Sequence, residues 1–355
     1  MPAARRRPTP SSRPVGVDRS RAHVLVLPDG ADVEDVERLV RQREPAVAAD
    51  PGRGLRIGRH TRLIGPFAAD DVLAVGAHGD WALAWVLDCP AERGDPPLPG
   101  VTDPDGLYRA FPHGLPVRAE GRAVGLLVAL ARRLRGAVRV AGSGLLLRPD
   151  PGVAVDVVVH AAHRVDRDTL RAALVAAGVP ATEPDPGAPW AGAPPDLVEH
   201  PPDEAVAALP IEERAALHAR ADRLDAEVLA AEQAARIGAD GVPGTGDAAP
   251  YALVVDLARS ADDVDSGIVE VLVHPAEDLP PVVAGHPWAA RATTYEVRWA
   301  PEDPAVAALE APGGALVAAR RRAAVVVRTA ARVVTEAAEG VPVDADGFLL
   351  DRYSL

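Results

Sequence analysis

The densest gathering of chemically able side chains is the run Asp156-Val-Val-Val-His160-Ala-Ala-His163-Arg-Val-Asp166-Arg-Asp168. Imidazoles and carboxylates placed together at the end of a strand suit a divalent metal, so Asp156, His160 and His163 form a candidate metal site. Period-two alternation puts Asp156 and His160 on one strand face. A His-x-x-His pair leaving a strand does not aim both rings at one point, however, and the simpler reading is surface and helix-capping residues.

Two further groups could bind rather than react. Arg53, Arg56, Arg59 and Arg62 recur every three residues with His60 among them. On a strand, Arg56, His60 and Arg62 would project together, with Arg59 nearby, as a positive strip able to grip a phosphate or carboxylate. The plainer alternative is a solvated strand face. Trp81 and Trp85, four apart in an apolar run, are expected on one strand face as a ligand or partner surface, with core packing as the competing role.

Other patterns exclude chemistry. All 38 basic side chains are arginine, which removes Schiff-base lysines, the pyridoxal-phosphate lysine and the lysine of the usual phosphate-binding loop. Gly142-Ser-Gly144 and Gly241-Val-Pro-Gly244-Thr-Gly246 do not open helices, so neither has the geometry of a phosphate cradle. The single cysteine, Cys89, precludes an intramolecular disulfide and follows an apolar run, as an inert packed thiol does. No catalytic residue is assigned and no cofactor is expected, a divalent metal at Asp156, His160 and His163 being the one alternative.

The elements that must position these groups follow from periodicity. His23–Leu27 reads as a strand, followed by a helix from about Asp32, whose carboxylate is placed to cap it. Leu55–Ile64 alternates as one half-buried strand, and Val72–Ala77 with Trp81–Leu87 reads as a hairpin turning at His78–Asp80. Helices are expected at Glu120–Arg135, Asp166–Ala177 and about Ala315–Ala338, and strands at Ala137–Ala141, Leu145–Arg148, Val153–His160, Tyr251–Leu257, Ile268–Val273 and Thr293–Trp299. The strand-turn-helix plan of residues 23–44 recurs at 157–177.

The expected fold class is α+β: two layered portions, 23–182 and 251–355, with a soft sub-boundary in the proline-rich stretch 90–116. Residues 1–22 read as a disordered Arg/Pro-rich tail. Between the portions, 183–250 combines a proline-rich linker, an acidic helix and a glycine-rich linker. Its Leu217, Ala221, Leu224, Val228, Ala231 and Ala235 form a heptad seam of the coiled-coil kind. Arg321, Arg328 and Arg332 give the last long helix a basic side that could meet this acidic one.

The net charge of −13 repels a polyanion, so nucleic acid is not an expected partner. The best uncharged apolar stretch, Ala123–Ala131, is about half the roughly 20 residues that span a bilayer, and Val24–Leu27 is too short for a secretory core. The expectation is a cytoplasmic, non-catalytic module that binds a protein partner or small ligand, or self-associates through the 212–237 helix. The alternative is a metal-dependent hydrolase or phosphoryl-handling enzyme using Asp156, His160 and His163.

Overall fold

Alternating burial in His23–Pro28, with Leu25 and Leu27 on one face and Val24 and Val26 on the other, makes this first strand the centre of a sheet apolar on both sides. The computed structural model describes residues 22–50, 54–72, 81–98, 103–184, 250–257, 267–301, 309–310, 312–352 and 355. The fold is α+β, with helices packed on two antiparallel sheets.

The first sheet holds β1 (His23–Pro28), β2 (Ala48–Asp50), β3 (Gly54–Arg56), β4 (Arg62–Ala68), β5 (Trp81–Asp88), β6 (Ala137–Arg139) and β7 (Leu146–Leu147), in the order β2-β3-β4-β5-β1-β6-β7. Its helices are α1 (Val33–Arg43), α2 (Ala69–Val72), α3 (Leu107–Ala110) and α4 (Arg118–Leu134). Val36, Leu39 and Val40 of α1 and Val124, Leu127 and Val128 of α4 bury their stripes against Leu25, Leu63 and Trp85. Within the stretch 90–116, residues 92–95 pair with 115–117 through backbone hydrogen bonds just before α4.

The second sheet holds β8 (Val157–Ala161), β9 (Tyr251–Asp256), β10 (Ile268–Pro275), β11 (Thr293–Ala300) and β12 (Val341–Asp344), ordered β12-β8-β11-β10-β9. It is covered on one face by α5 (Arg167–Ala176) and α7 (Gly314–Ala338). The short helix α6 (Pro281–Ala284) lies in the β10–β11 connection. The 23–182 portion read from the sequence is thus shared between the sheets, because β8 pairs with β11 and β12 rather than with any earlier strand.

Five strands of the first sheet share the order and connection of the five strands of the second. In each, a first strand leads through a helix to a three-stranded meander, then through a second helix to a strand pairing on the first strand's other side, as β1-α1-β3-β4-β5-α4-β6 and β8-α5-β9-β10-β11-α7-β12. Register reinforces the match. Val26 pairs with Ala137 and Ala84, and His160 pairs with Val341 and Thr294. Asp32 and Asp166, each six residues beyond Val26 or His160, cap the following helix by accepting a backbone N–H, from Glu34 and Thr169 respectively. The second helix ends on a left-handed residue, Arg135 or Glu339, followed by a glycine where a Cβ would strike the first strand. A buried aromatic, Trp85 or Tyr295, fills the same place beneath the helices. The described residues thus form two units that repeat one arrangement of strands and helices.

The two copies touch through segments flanking the second sheet. Arg132 of α4, almost fully buried, donates to both oxygens of Asp105 (2.6 and 2.7 Å) and of Asp346 (2.5 and 2.6 Å). Gln42 of α1 accepts from the Leu349 amide, and Phe348 is buried in the first unit's core. Expectations for residues 1–21, the His78–Asp80 turn, the 212–237 heptad helix and Gly241–Gly246 lie outside the described residues.

Candidate functional site

Several residues singled out by spacing are placed apart. Asp156 accepts the Trp299 amide at 2.8 Å and lines a cavity between the two units, where Arg132 and Arg133 also sit beside Asp344 and Asp346. Burial raises the pKa of Asp156, opposed by that amide and by Arg298. His160 lines a different cavity, and the exposed His163 contributes only its carbonyl, which accepts from Tyr295 Oη at 3.0 Å. Asp166 caps α5 and Asp168 pairs with Arg171. The three expected metal ligands do not meet.

The arginine strip is also rearranged, because Leu55–Ile64 is not one strand. A turn at 57–61 folds it into the β3–β4 hairpin, with Arg56 directly opposite Arg62 and Arg59 and His60 in the exposed turn. Two like charges face one another across the hairpin, which costs stability rather than forming a gripping row. Trp81 and Trp85 lie on opposite faces: a register shift between Leu27 and Pro28 skips Ala82 and turns Trp81 away. Trp85 packs in the core under α1 and α4, while Trp81 joins the cluster on the other face, with Arg148 over its ring at 5.3 Å.

A buried cluster not anticipated from the sequence lies where β1 meets α4. His23 Nε2 is 2.9 Å from Glu120 Oε1, which also binds Arg93 at 2.8 Å, while Glu120 Oε2 accepts the Glu92 amide at 2.7 Å. Cys89 Sγ is close enough to complete a His-Cys-Glu trio. The proton inventory argues against metal there. The Ala141 N–H donates to His23 Nδ1 at 3.1 Å, so the ring proton sits on Nε2 and points at Glu120, leaving no lone pair for an ion. Burial works to raise the pKa of Glu120, but His23, the Glu92 amide and Arg93 outweigh it and hold the carboxylate ionised. Burial and the nearby Glu120 push the Cys89 thiol up to about 11, which makes it a poor nucleophile. This is an internal brace.

The arrangement with most chemical capacity lies on the second sheet, on the face turned away from α5 and α7. Pairing aligns His274, Thr294 and His160 across β10, β11 and β8, with Glu296 and then Arg298 and Glu270 in successive rows. His274 Nδ1–H donates to the Pro275 carbonyl at 2.8 Å, and Nε2 lies 3.2 Å from Glu296 Oε1. Both ring nitrogens face acceptors, an arrangement that favours the protonated ring. Its pKa is raised by the Glu296 hydrogen bond, and that of Glu296 is lowered by the same contact. His160, 3% exposed, is held at a pKa of about 4 by burial and by the positive His274, so it is neutral at neutral pH. Its Nδ1 is 3.1 Å from Thr294 Oγ1.

A cavity of about 360 Å³ opens over these residues, bounded by Glu277, Asp278 and Pro280 on one side and the 344–347 turn on the other. Both rims belong to the segments beside the first unit, since α6 contacts α1 and Arg132 binds Asp346. The polar alternation of this face is visible in Thr294, Glu296 and Arg298, a signal that marks β11 as half-solvated without revealing that His160 and His274 flank it.

The fold and this face define a two-unit α+β protein with one copy's outer sheet surface made polar. No family model, no curated protein and no solved structure matches the chain. Among the described residues no helix is long and apolar enough to cross a membrane.

Proposed function

We propose that the chain is a non-catalytic binding module in which the first unit is scaffold and the second takes a small ligand on its polar sheet face. One observation carries this reading. At matching positions of the repeated unit, Val26, Ala84, Val86 and Phe67 in the first copy correspond to His160, Thr294, Glu296 and His274 in the second. The first set packs together as a closed apolar layer, and the second surrounds a cavity within the size range of small-molecule sites.

Binding fits the groups better than turnover. A base with a pKa of about 4 is too weak to take a proton from the Thr294 hydroxyl near neutral pH, and the other imidazole has both ring nitrogens turned to acceptors, the Pro275 carbonyl and Glu296. The hydrolase alternative has no comparable support, since Asp156 and His160 line separate cavities. A reducing cytoplasm suits a chain with one unpaired cysteine.

A thermal-shift screen of metabolites against the wild type and His160→Val tests the reading. Ligands that stabilise the wild type and lose that effect in the variant are expected. Ligands that stabilise both equally, or turnover of any of them, would refute it. Self-association through residues 212–237 is a separable part of the proposal, expected as a dimer in light scattering that Leu224→Asp converts to monomer.

A further inference from the structure

Every free polar atom around the His160 cavity that can be assigned is an acceptor. Glu277 and Asp278 are exposed at its rim and make no hydrogen bond or ion pair among the described residues. Asp344 is occupied, accepting the Asp346 and Phe348 amides (3.1 and 2.8 Å) with Arg133 at 3.3 Å. His274 spends both N–H groups on Pro275 and Glu296, so it offers no donor to a visitor. His160 is the buried member. Its Nδ1 is turned to Thr294, and its Nε2, with no partner among the described residues, is left to the cavity.

We infer that this cavity binds a small organic cation, whose ammonium or guanidinium group sits between Glu277, Asp278 and His160 Nε2. The inference rests on the binding-module reading and names its ligand class. In the bound form His160 takes the tautomer with its proton on Nδ1, donating to Thr294 Oγ1, and presents the Nε2 lone pair to the ligand. Of the carboxylates lining the cavity, Asp344 is paired with Arg133 and Glu296 with His274 and Arg298, which leaves Glu277 and Asp278 as the uncompensated charges, so the local field favours a cation. A bare divalent ion fits less well. Among the described residues the trio whose ligand atoms lie within 4.8 Å of one another is His23, Cys89 and Glu120, not a set from this cavity. Multidonor cations several atoms long fill the gap that one ion would leave.

The test is a side-chain NMR titration of the full chain, following the ¹⁵N shifts of His160. Putrescine and agmatine are the cationic probes, with acetate, inorganic phosphate and Zn²⁺ as comparators. Saturable movement of His160 Nε2 with a cationic probe is expected, weakened about tenfold, or ~1.4 kcal/mol, in Glu277→Gln/Asp278→Asn. Both of those side chains are exposed, so the variant keeps its fold. Equal affinity in wild type and double variant, or movement with an anion instead, overturns the cation assignment while leaving a small-ligand site in place. Movement with Zn²⁺ but with neither amine overturns it in favour of a metal. Silence from all probes also overturns it. The binding-module reading then stands or falls separately, on whether the thermal-shift screen yields a His160-dependent ligand.

Discussion

Acidification should expose the cost of burying His160. The ring is held at a pKa of about 4, against 6.5 for a free histidine, because burial and His274 disfavour its charged form. A histidine with a depressed folded pKa contributes stability that is fully present above 6.5 and declines as pH falls toward 4, since the unfolded chain gains a proton the native state refuses. The gap of roughly 2.5 units, at 1.36 kcal/mol per unit, amounts to about 3 kcal/mol lost between pH 7 and pH 4. The natural replacement is His160→Val, because the first unit carries Val26 at the matching position. Urea unfolding of both proteins at pH 7, 5.5 and 4 isolates the effect, because the remaining groups titrate in both. Whatever the variant loses at pH 7 by stranding Thr294, its stability relative to the wild type should rise by about 3 kcal/mol at pH 4. Parallel loss in the two proteins would refute the claim that His160 is buried neutral.

The neighbouring ion pair has the opposite sign. His274, with a raised pKa, stabilises below 6.5 and loses that contribution as pH rises through its folded value, while Glu296, with a lowered one, loses its contribution as pH falls below 4.5. Glu296→Gln should therefore flatten the alkaline limb of stability in urea titrations between pH 6 and 9. Arg132→Met leaves Asp105 and Asp346 facing each other without their shared cation, and should cost about 3 kcal/mol in the same assay, partly recovered by Asp105→Asn. Asp32→Ala removes the acceptor for the Glu34 amide and should cost about 1 kcal/mol. Cys89 should resist iodoacetamide at pH 8 in the native state and react readily in urea, as mass spectrometry would show.

Much of the architecture was legible in local pattern. The 3.6-residue stripes and Asp caps of α1 and α5, and the long apolar face of α7, place those helices within a residue or two of where they lie. The Gly142-Ser-Gly144 turn joins β6 and β7, with both glycines left-handed. What local pattern could not supply was long-range register. Nothing near Trp81 announces a shift on β1, and nothing near His160 says that β8 pairs with strands from residues 293–300 and 341–344 rather than with those before it. The candidate site failed to appear for the same reason. His160 was visible as a residue able to do chemistry, but His274 and Glu296 become its neighbours only through β11, more than 100 residues along the chain.

Phe348 gives the two copies a shared fate in time. It is buried in the first unit's core, yet the member of that cluster preceding it in the chain is Leu147. At synthesis rates of about 5–20 residues per second, the ribosome takes roughly 10–40 s to deliver what lies between. For that interval the first unit emerges with all its strands and an unfilled place beside α1 and α4, long enough for a chaperone or protease to inspect it. A nonsense mutation between Ala345 and Phe348 would leave every strand of both sheets intact and still open the core of the unit farthest from it in sequence.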